Sequence, residues 1–372
     1  MTAIPAIFVD THGALQASGG GVQVCNREYL EMLTTAGFDV QKAAFDLDRR
    51  LWSRIASRLN PQLRPAFMPP GLVQEVSRAI TQTQAQFVFF GLTRFVGLCE
   101  QLRQLFPRVR QVLLSHGTES VDFVIEQQIR RRMGDEKHSR RRVVQMLGEE
   151  ILREGELRRH VNAALVLSPF EVDLEKWLGT PAVQWVPRTI MEPALEPKPV
   201  GGRVGCVATL DHPPNYDGLV RLFDSLAGQV AADFRFRIVG RPVAKGRELQ
   251  ERYPFVEYLG GLDDPALRAE AATWCCFVHA LFVNAKGCST KLGMGLGWRL
   301  PLATTELGAR GYQWNTEVLP LAANPRDLAR MVVERSHTDQ FDAFRRQTLA
   351  IVAQTPSLAE VAQRARQFLM EA

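Results

Sequence analysis

The chain has no stretch of the roughly 18–20 consecutive apolar residues that a membrane span requires. Its first residues, MTAIPAIFVD, carry no basic segment ahead of the apolar run and turn polar at Asp10, so no signal peptide is read there. Cysteine is sparse. The six thiols, Cys25, Cys99, Cys206, Cys275, Cys276 and Cys288, lack the paired CxxC spacing of a zinc site. A chain of this length also has no need of a disulfide framework. These absences lead us to expect a soluble protein of a reducing compartment, cytoplasmic or peripheral at the inner face of a membrane, with Cys275 and Cys276 buried and reduced in WCCFVHALFV. Internal repeats and low-complexity tracts are missing too. Charge of one sign is not in great excess: Lys plus Arg is 45, Asp plus Glu is 40, and the net charge is +5. Such a balance suits an anionic small ligand or a membrane surface as well as nucleic acid. With 46% hydrophobic residues among 372, the chain is globular, and its length suggests two domains.

Short apolar runs alternate with longer helical patterns. Ala6–Val9 reads as a buried strand, followed by a glycine loop at 19–21 and a helix from about Val22 to Ala36 that Gly37 stops. Phe38–Ala44, Phe87–Phe90, Val112–Leu114 and Ala163–Leu167 are further strand candidates. Pro187, Pro193, Pro197, Pro199 and Gly201-Gly202 then read as a linker. A second series begins at Val204–Ala208. It continues through a helix near Gly218–Ala227, the runs Phe236–Val239 and Val256–Leu259, and a helix near Pro265–Ala272. The run Cys276–Val283, a helix after Lys291 and the strand Pro301–Thr304 complete it. Repeated strand–helix–strand units imply parallel sheets covered by helices on both faces. The expected architecture is α/β: two doubly wound, Rossmann-like domains facing a cleft, with ligands beyond the carboxyl ends of the strands. Residues 1–187 would form the N-terminal domain and 188–352 the C-terminal one, with a final helix in 353–372 packing back on the first.

Residues 126–160 hold three arginine clusters, at 130–132, 140–142 and 158–159, interleaved with acids. A solvated helical insertion is one reading. A patch for anionic lipid headgroups or a polyanionic acceptor, hence peripheral membrane contact, is the other. No aromatic residue is interleaved for base stacking, which argues against nucleic acid as a partner.

Three constellations could carry chemistry. Gly19-Gly20-Gly21 lies between a strand and a helix, where backbone amides can meet a diphosphate or simply form a flexible loop. Ser115-His116-Gly117-Thr118 follows a strand, so His116 stands at a sheet edge where an imidazole can donate a hydrogen bond or move a proton. Lys286-Gly-Cys-Ser-Thr-Lys291 enters a helix at Ser289-Thr290, whose hydroxyls would cap it, and Glu306-Leu-Gly308-Ala-Arg-Gly311 supplies a second glycine turn. Lys286 and Lys291 add point charges suited to phosphate oxygens. Among the minor candidates, Asp10 and His12 follow the first strand and could reach an acceptor, Asn215 opens the second domain near the cleft or simply caps a helix, Glu306 and Arg310 flank the second turn, and His279 reads as a core histidine.

Together these segments resemble the retaining glycosyltransferases of the GT-B fold, the large family-four type, over most of the chain and in order. GGGVQVCNREYLEMLTTAGFDV is similar to that family's glycine loop and first helix, and LVLSPFEVDLEKWLG to the segment before its linker. VATLDHPPNYDGLVRLFDSL resembles the opening of its second domain, and FRIVGRP and VEYLGGLDD its next two strands. STKLGMGLGWRLPLATTELGARGY resembles its donor-site segment. The resemblance implies transfer of a sugar from a nucleotide-diphosphate sugar to a glycan, lipid-linked or protein acceptor. It implies retained configuration, no metal and no cofactor beyond the donor itself, in the setting of bacterial glycan biosynthesis. In that reading His116, Lys291 and Lys286 are catalytic. Gly20, Gly21, Ser289, Thr290, Glu306, Gly308, Gly311 and Arg241 line the donor, and Asp10 and His12 lie on the acceptor side. The sequence also departs from the family. Its two glutamates, separated by seven intervening residues, align with Lys286 and Met294, and Met294 cannot accept the ribose hydrogen bonds that the second glutamate normally takes. An inactive glycosyltransferase-like binding subunit, or a nucleotide-sugar epimerase of the same fold, are the alternatives.

Overall fold

The structure is a computed structural model that describes residues 3–15, 20–45, 71–284 and 287–372. It divides into two compact units, Met1–Ser120 with Arg140–Pro187 and Ser357–Ala372, and Val121–Ser139 with Arg188–Pro356.

The first unit contains a six-stranded parallel sheet of order β2-β1-β3-β4-β5-β6. Its strands are β1 (Ile4–Thr11), β2 (Phe38–Phe45), β3 (Phe87–Phe90), β4 (Arg110–Leu114), β5 (Ala163–Val166) and β6 (Ala182–Trp185). Its helices are α1 (Gly21–Thr35), α2 (Leu72–Thr83), α3 (Cys99–Leu105), α5 (Arg140–Arg158), α6 (Pro169–Trp177) and, from the far end of the chain, α14 (Leu358–Glu371). Between α3 and α5 comes α4 (Glu119–Arg132), most of which groups with the second unit. Strands β3 and β5 are buried at every residue, as sheets covered on both faces require. Arg366 of α14 donates to Ala36 O after α1, and Arg110 donates to Leu369 O, so the final helix is fastened to this sheet. Its start is fixed by a capping box between Ser357 and Glu360.

The second unit has a five-stranded parallel sheet of order β11-β10-β7-β8-β9. The strands are β7 (Arg203–Thr209), β8 (Arg235–Arg241), β9 (Val256–Gly260), β10 (Cys276–His279) and β11 (Leu302–Thr304). Helices α7 (Pro213–Leu226), α8 (Val243–Arg252), α9 (Asp264–Ala271), α10 (Thr290–Trp298), α11 (Glu306–Ala309), α12 (Pro325–Glu334) and α13 (Phe341–Gln354) accompany them. One cluster around Phe223, Phe236 and Ile238 and another around Trp274, Phe277 and Trp298 form its core. Glycine lets α10 come close to its neighbours. A Cβ on Gly297 would lie 2.6 Å from Glu192 O, and one on Gly295 would lie 2.7 Å from Phe277.

Several elements differ from the sequence reading. Helix α7 starts at Pro213, not near Gly218, because prolines in a helix's first turn lack only N–H groups that have no partner there. The apolar run from Cys276 yields a strand only as far as His279. Strand β6, a half-buried edge, is an addition. The arginine-rich segment forms two helices, and several of its arginines are held in ion pairs. Arg130 pairs with Glu126 and Asp135, Arg132 reaches Asp217 at 3.0 Å, and Arg158 is fully buried against Glu175. The six cysteines are free thiols, five of them buried. No helix among the described residues is long and apolar enough to cross a membrane.

Candidate functional site

In the first sheet the strand order reverses between β1 and β3, the place where parallel α/β sheets open a crevice beyond their carboxyl ends. Asp10, near the end of β1, is fully buried. Its Oδ1 accepts from Thr11 N at 2.6 Å and its Oδ2 from Asn26 Nδ2 at 2.7 Å. Burial pushes its carboxyl up to about 6 against the pull of these hydrogen bonds and of Arg94. The space for this carboxylate comes from Gly91, just past β3, where a Cβ would fall 2.1 Å from Oδ2. Asn26, on α1, also donates to Ala14 O at 3.1 Å, and its Oδ1 lies 2.9 Å from His116 Nε2.

His116 follows β4, and the loop beneath it is anchored. Ser115 Oγ donates to Glu175 Oε1 at 3.0 Å and accepts from Gly117 N at 3.1 Å. Glu175 is in turn gripped by Arg158 through Nε at 2.6 Å and Nη2 at 2.9 Å. The Tyr29 hydroxyl donates to Ser115 O at 3.0 Å, and its ring meets His116 edge-on with centroids 5.9 Å apart. Gly20 is the N-cap of α1, and Gly21 is its first residue, exposed. His12 is exposed just beyond β1. Gly19 lies outside the described residues.

In the second sheet the order reverses between β7 and β10. His279 ends β10 and is 7% exposed, and its Nε2 has no hydrogen-bond partner among the described residues. Burial, helped by the Lys291 and Arg310 charges, drives its imidazole down to about 3, so it is neutral at physiological pH. Lys291, in the first turn of α10, is partly buried, and burial lowers its ammonium to about 8, with Cys206 of β7 pulling the other way. The Cys206 thiol is itself pushed up to about 12 by burial. Ser289 is the N-cap of α10, but its side chain makes no capping bond, contrary to the expectation that a hydroxyl closes this helix. The first-turn amides, including those of Thr290 and Lys291, therefore keep the donor capacity that every helix start has. Tyr312 Oη fixes the approach by donating to Ser289 O at 2.6 Å.

Other predicted donor residues have structural partners. Gly308 N donates to Thr305 Oγ1 at 3.0 Å, and a Cβ there would lie 2.3 Å from Thr304 Oγ1 and 3.1 Å from His279. Gly311 has a φ of +89° and accepts from Arg188 N at 3.0 Å. Glu306 is exposed at the start of α11. Arg241 is exposed at the end of β8, its side chain lying along Gly261. Asn215 sits inside α7 and donates to Thr209 O at 2.9 Å. Lys286 lies outside the described residues. The sequence reading placed His279 in the core without seeing that it shares its surroundings with two cations. It missed Asn26 altogether. Among the described residues no group of three or more His, Cys, Asp or Glu side chains could hold a metal ion.

No protein-family model matches the chain, and no curated protein matches it. Solved structures do. Sucrose-phosphate synthase from Thermosynechococcus elongatus aligns with 99% of this chain and 98% of its own, at 14% identity and a TM-score of 0.66. The UDP-forming α,α-trehalose-phosphate synthase from Burkholderia xenovorans, solved with glucose-6-phosphate, covers 98% of this chain and 100% of its own, at 10% identity and a TM-score of 0.65. The lipopolysaccharide outer core galactosyltransferase WaaB covers 98% and 99%, at 12% identity and a TM-score of 0.59. These neighbours are GT-B glycosyltransferases, and the fold of this chain, two parallel-sheet α/β units with their helices, is the GT-B fold.

Proposed function

We propose that the chain is a glycosyltransferase that takes a nucleotide-diphosphate sugar as donor and passes the sugar, with retained configuration and without a metal, to a hydroxyl of a glycan, lipid-linked or protein acceptor. The observation that carries this reading is the cluster at the reversal point of the second sheet. The Lys291 and Arg310 charges both bear on His279 there, beside an α-helix N-terminus whose cap residue makes no side-chain bond. Positive side chains gathered near the amide donors of a helix start are a setting for a bound diphosphate.

In this reading the bond between the sugar's anomeric carbon and the diphosphate oxygen breaks, and the charge developing on that oxygen is met by the Lys291 ammonium and the first amides of α10. Stabilisation built before the reaction costs no reorganisation during it. His116, at the edge of the first sheet, would address the donor sugar. Lys286, outside the described residues, keeps its proposed role as a second cation for the diphosphate on the strength of the sequence resemblance alone.

A second reading has an observation of its own. Met294 packs against the apolar cluster around Trp298, where the resemblance would put the ribose-holding glutamate. That favours a binding subunit that has lost turnover. A panel of nucleoside diphosphates and inorganic pyrophosphate in thermal denaturation separates the two. A ligand at ~100 times its Kd should stabilise by about 2.7 kcal/mol. Protection together with hydrolysis or transfer of a nucleotide sugar supports the enzyme. Protection without turnover supports the subunit, and no protection by any member refutes the diphosphate site.

A further inference from the structure

We infer that Asn26 fixes the His116 imidazole as the tautomer protonated at Nε2, and that Asp10 holds Asn26 in the orientation that does so, which makes Asn26 and Asp10 positioning residues for His116. What this tautomer is for rests on the glycosyltransferase reading. The geometry that sets it does not.

The argument begins with the two ends of the Asn26 amide. Its NH2 group has two hydrogens and no accepting capacity, and its oxygen only accepts. Two acceptors stand on one side of this buried side chain: Asp10 Oδ2 at 2.7 Å and Ala14 O at 3.1 Å. The NH2 group satisfies both. Turning the amide over would set its oxygen against a carboxylate and a carbonyl at once, so the neighbours decide the orientation. Oδ1 is then the atom 2.9 Å from His116 Nε2. An atom that can only accept requires that nitrogen to carry a hydrogen. In the neutral ring the lone pair therefore belongs to Nδ1.

Each part of this relay is itself held. Thr11 N donates to Asp10 Oδ1 at 2.6 Å, which fixes the carboxylate's plane. Gly91 leaves the room that Oδ2 occupies. The Tyr29 ring stands at 87° to the imidazole and fixes the plane of His116. Asp10 thus bears on His116 through Asn26, from a place that is itself closed to solvent.

The test is imidazole nitrogen NMR on the full chain labelled with 15N-histidine, at pH 8, above the value of about 6 to which burial pushes Asp10. His116 is assigned by its disappearance in His116→Gln. The wild-type spectrum should show His116 with hydrogen on Nε2. Asn26→Ala should relax it to a mixture of tautomers. In Asp10→Asn the Thr11 amide keeps the side-chain oxygen, so the new NH2 group faces Asn26 while Ala14 O still draws the Asn26 NH2 group; the Asn26 amide loses its single orientation and the His116 hydrogen spreads toward Nδ1. A wild-type His116 protonated at Nδ1, or an unchanged Nε2–H pattern in both variants, overturns the inference. The wild-type spectrum decides the tautomer even if neither variant folds. None of these spectra needs a ligand, so a failure of the pyrophosphate protection experiment would leave them standing.

Discussion

Lys291→Met should make the unliganded protein more stable while removing its response to pyrophosphate. Burial brings the Lys291 ammonium from 10.5 down to about 8. Between those values the unfolded chain binds the proton and the folded chain does not, so stability rises with pH across this window. Below pH 8 the protein carries the full cost of housing the charge. At ~1.4 kcal/mol for each tenfold change that cost is about 3 kcal/mol, and partial solvent access reduces it to about 2 kcal/mol. Methionine keeps an unbranched apolar stem of similar reach and omits the ammonium. At pH 7 the variant should therefore gain about 2 kcal/mol, or roughly 4–8 °C for a unit of this size. The gain should fade as the pH approaches 10.5. With pyrophosphate at ~100 times its wild-type Kd, the wild type gains about 2.7 kcal/mol and the variant gains nothing. The order of melting temperatures then narrows or reverses. Urea denaturation at pH 7 and pH 10, with and without pyrophosphate, reads all four quantities. A variant less stable than wild type at pH 7, or a difference that does not change between the two pH values, would refute the assignment of Lys291 as a charge held at the folded state's expense.

His279 carries the same sign at lower pH. Its imidazole is driven from 6.5 down to about 3, so the unfolded chain takes up a proton that the folded chain refuses as pH falls below 6.5. Between pH 6.5 and 5 the wild type should lose about 2 kcal/mol through this residue, a loss absent from His279→Leu and readable as a flatter urea midpoint over that range. An equal slope in both proteins would rule out a neutral buried histidine. Arg158→Met should cost about 3–5 kcal/mol, because it strands the fully buried Glu175 carboxylate. Adding Glu175→Leu should recover only part of this, since Ser115 and Thr180 also donate to that carboxylate. Full recovery in the double variant would show that these hydroxyl contacts contribute nothing.

Much of the fold was legible in the sequence because its strands are buried on both faces and read as unbroken apolar runs, as in Phe87–Phe90 and Ala163–Val166. The departures have physical reasons. The helix expected near Gly218 begins at Pro213 instead, because proline fits the first turn of a helix. The run after Cys276 looked like one long strand, yet it leaves the sheet after His279. There Gly218 must approach Ala280 O, to which its Cβ would be 2.1 Å, and Thr305 donates to Leu281 O. Arg158 looked like one more member of a solvated basic face. Its partner is 17 residues away on another helix, and no pattern of charge along the chain shows that.

The candidate site was less legible than the fold, for a reason common to both units. Lys291 and His116 could be singled out because each stands next to an element boundary. What acts on them could not. Asn26 lies 16 residues from Asp10 and 90 from His116, and the three meet only because β1 neighbours β3 and Gly91 leaves a gap of carboxylate size. His279 meets Lys291 only because β10 lies beside β7 and α10. In both sheets a glycine beyond a neighbouring strand makes the room, Gly91 for Asp10 and Gly308 for Thr304 and His279. Glycines read from sequence as ligand-facing can thus serve the protein's own polar side chains. The two uses are compatible. A buried polar group held at a strand's carboxyl end by a glycine gap is already desolvated and oriented, which is the state in which it interacts most strongly with a charged ligand.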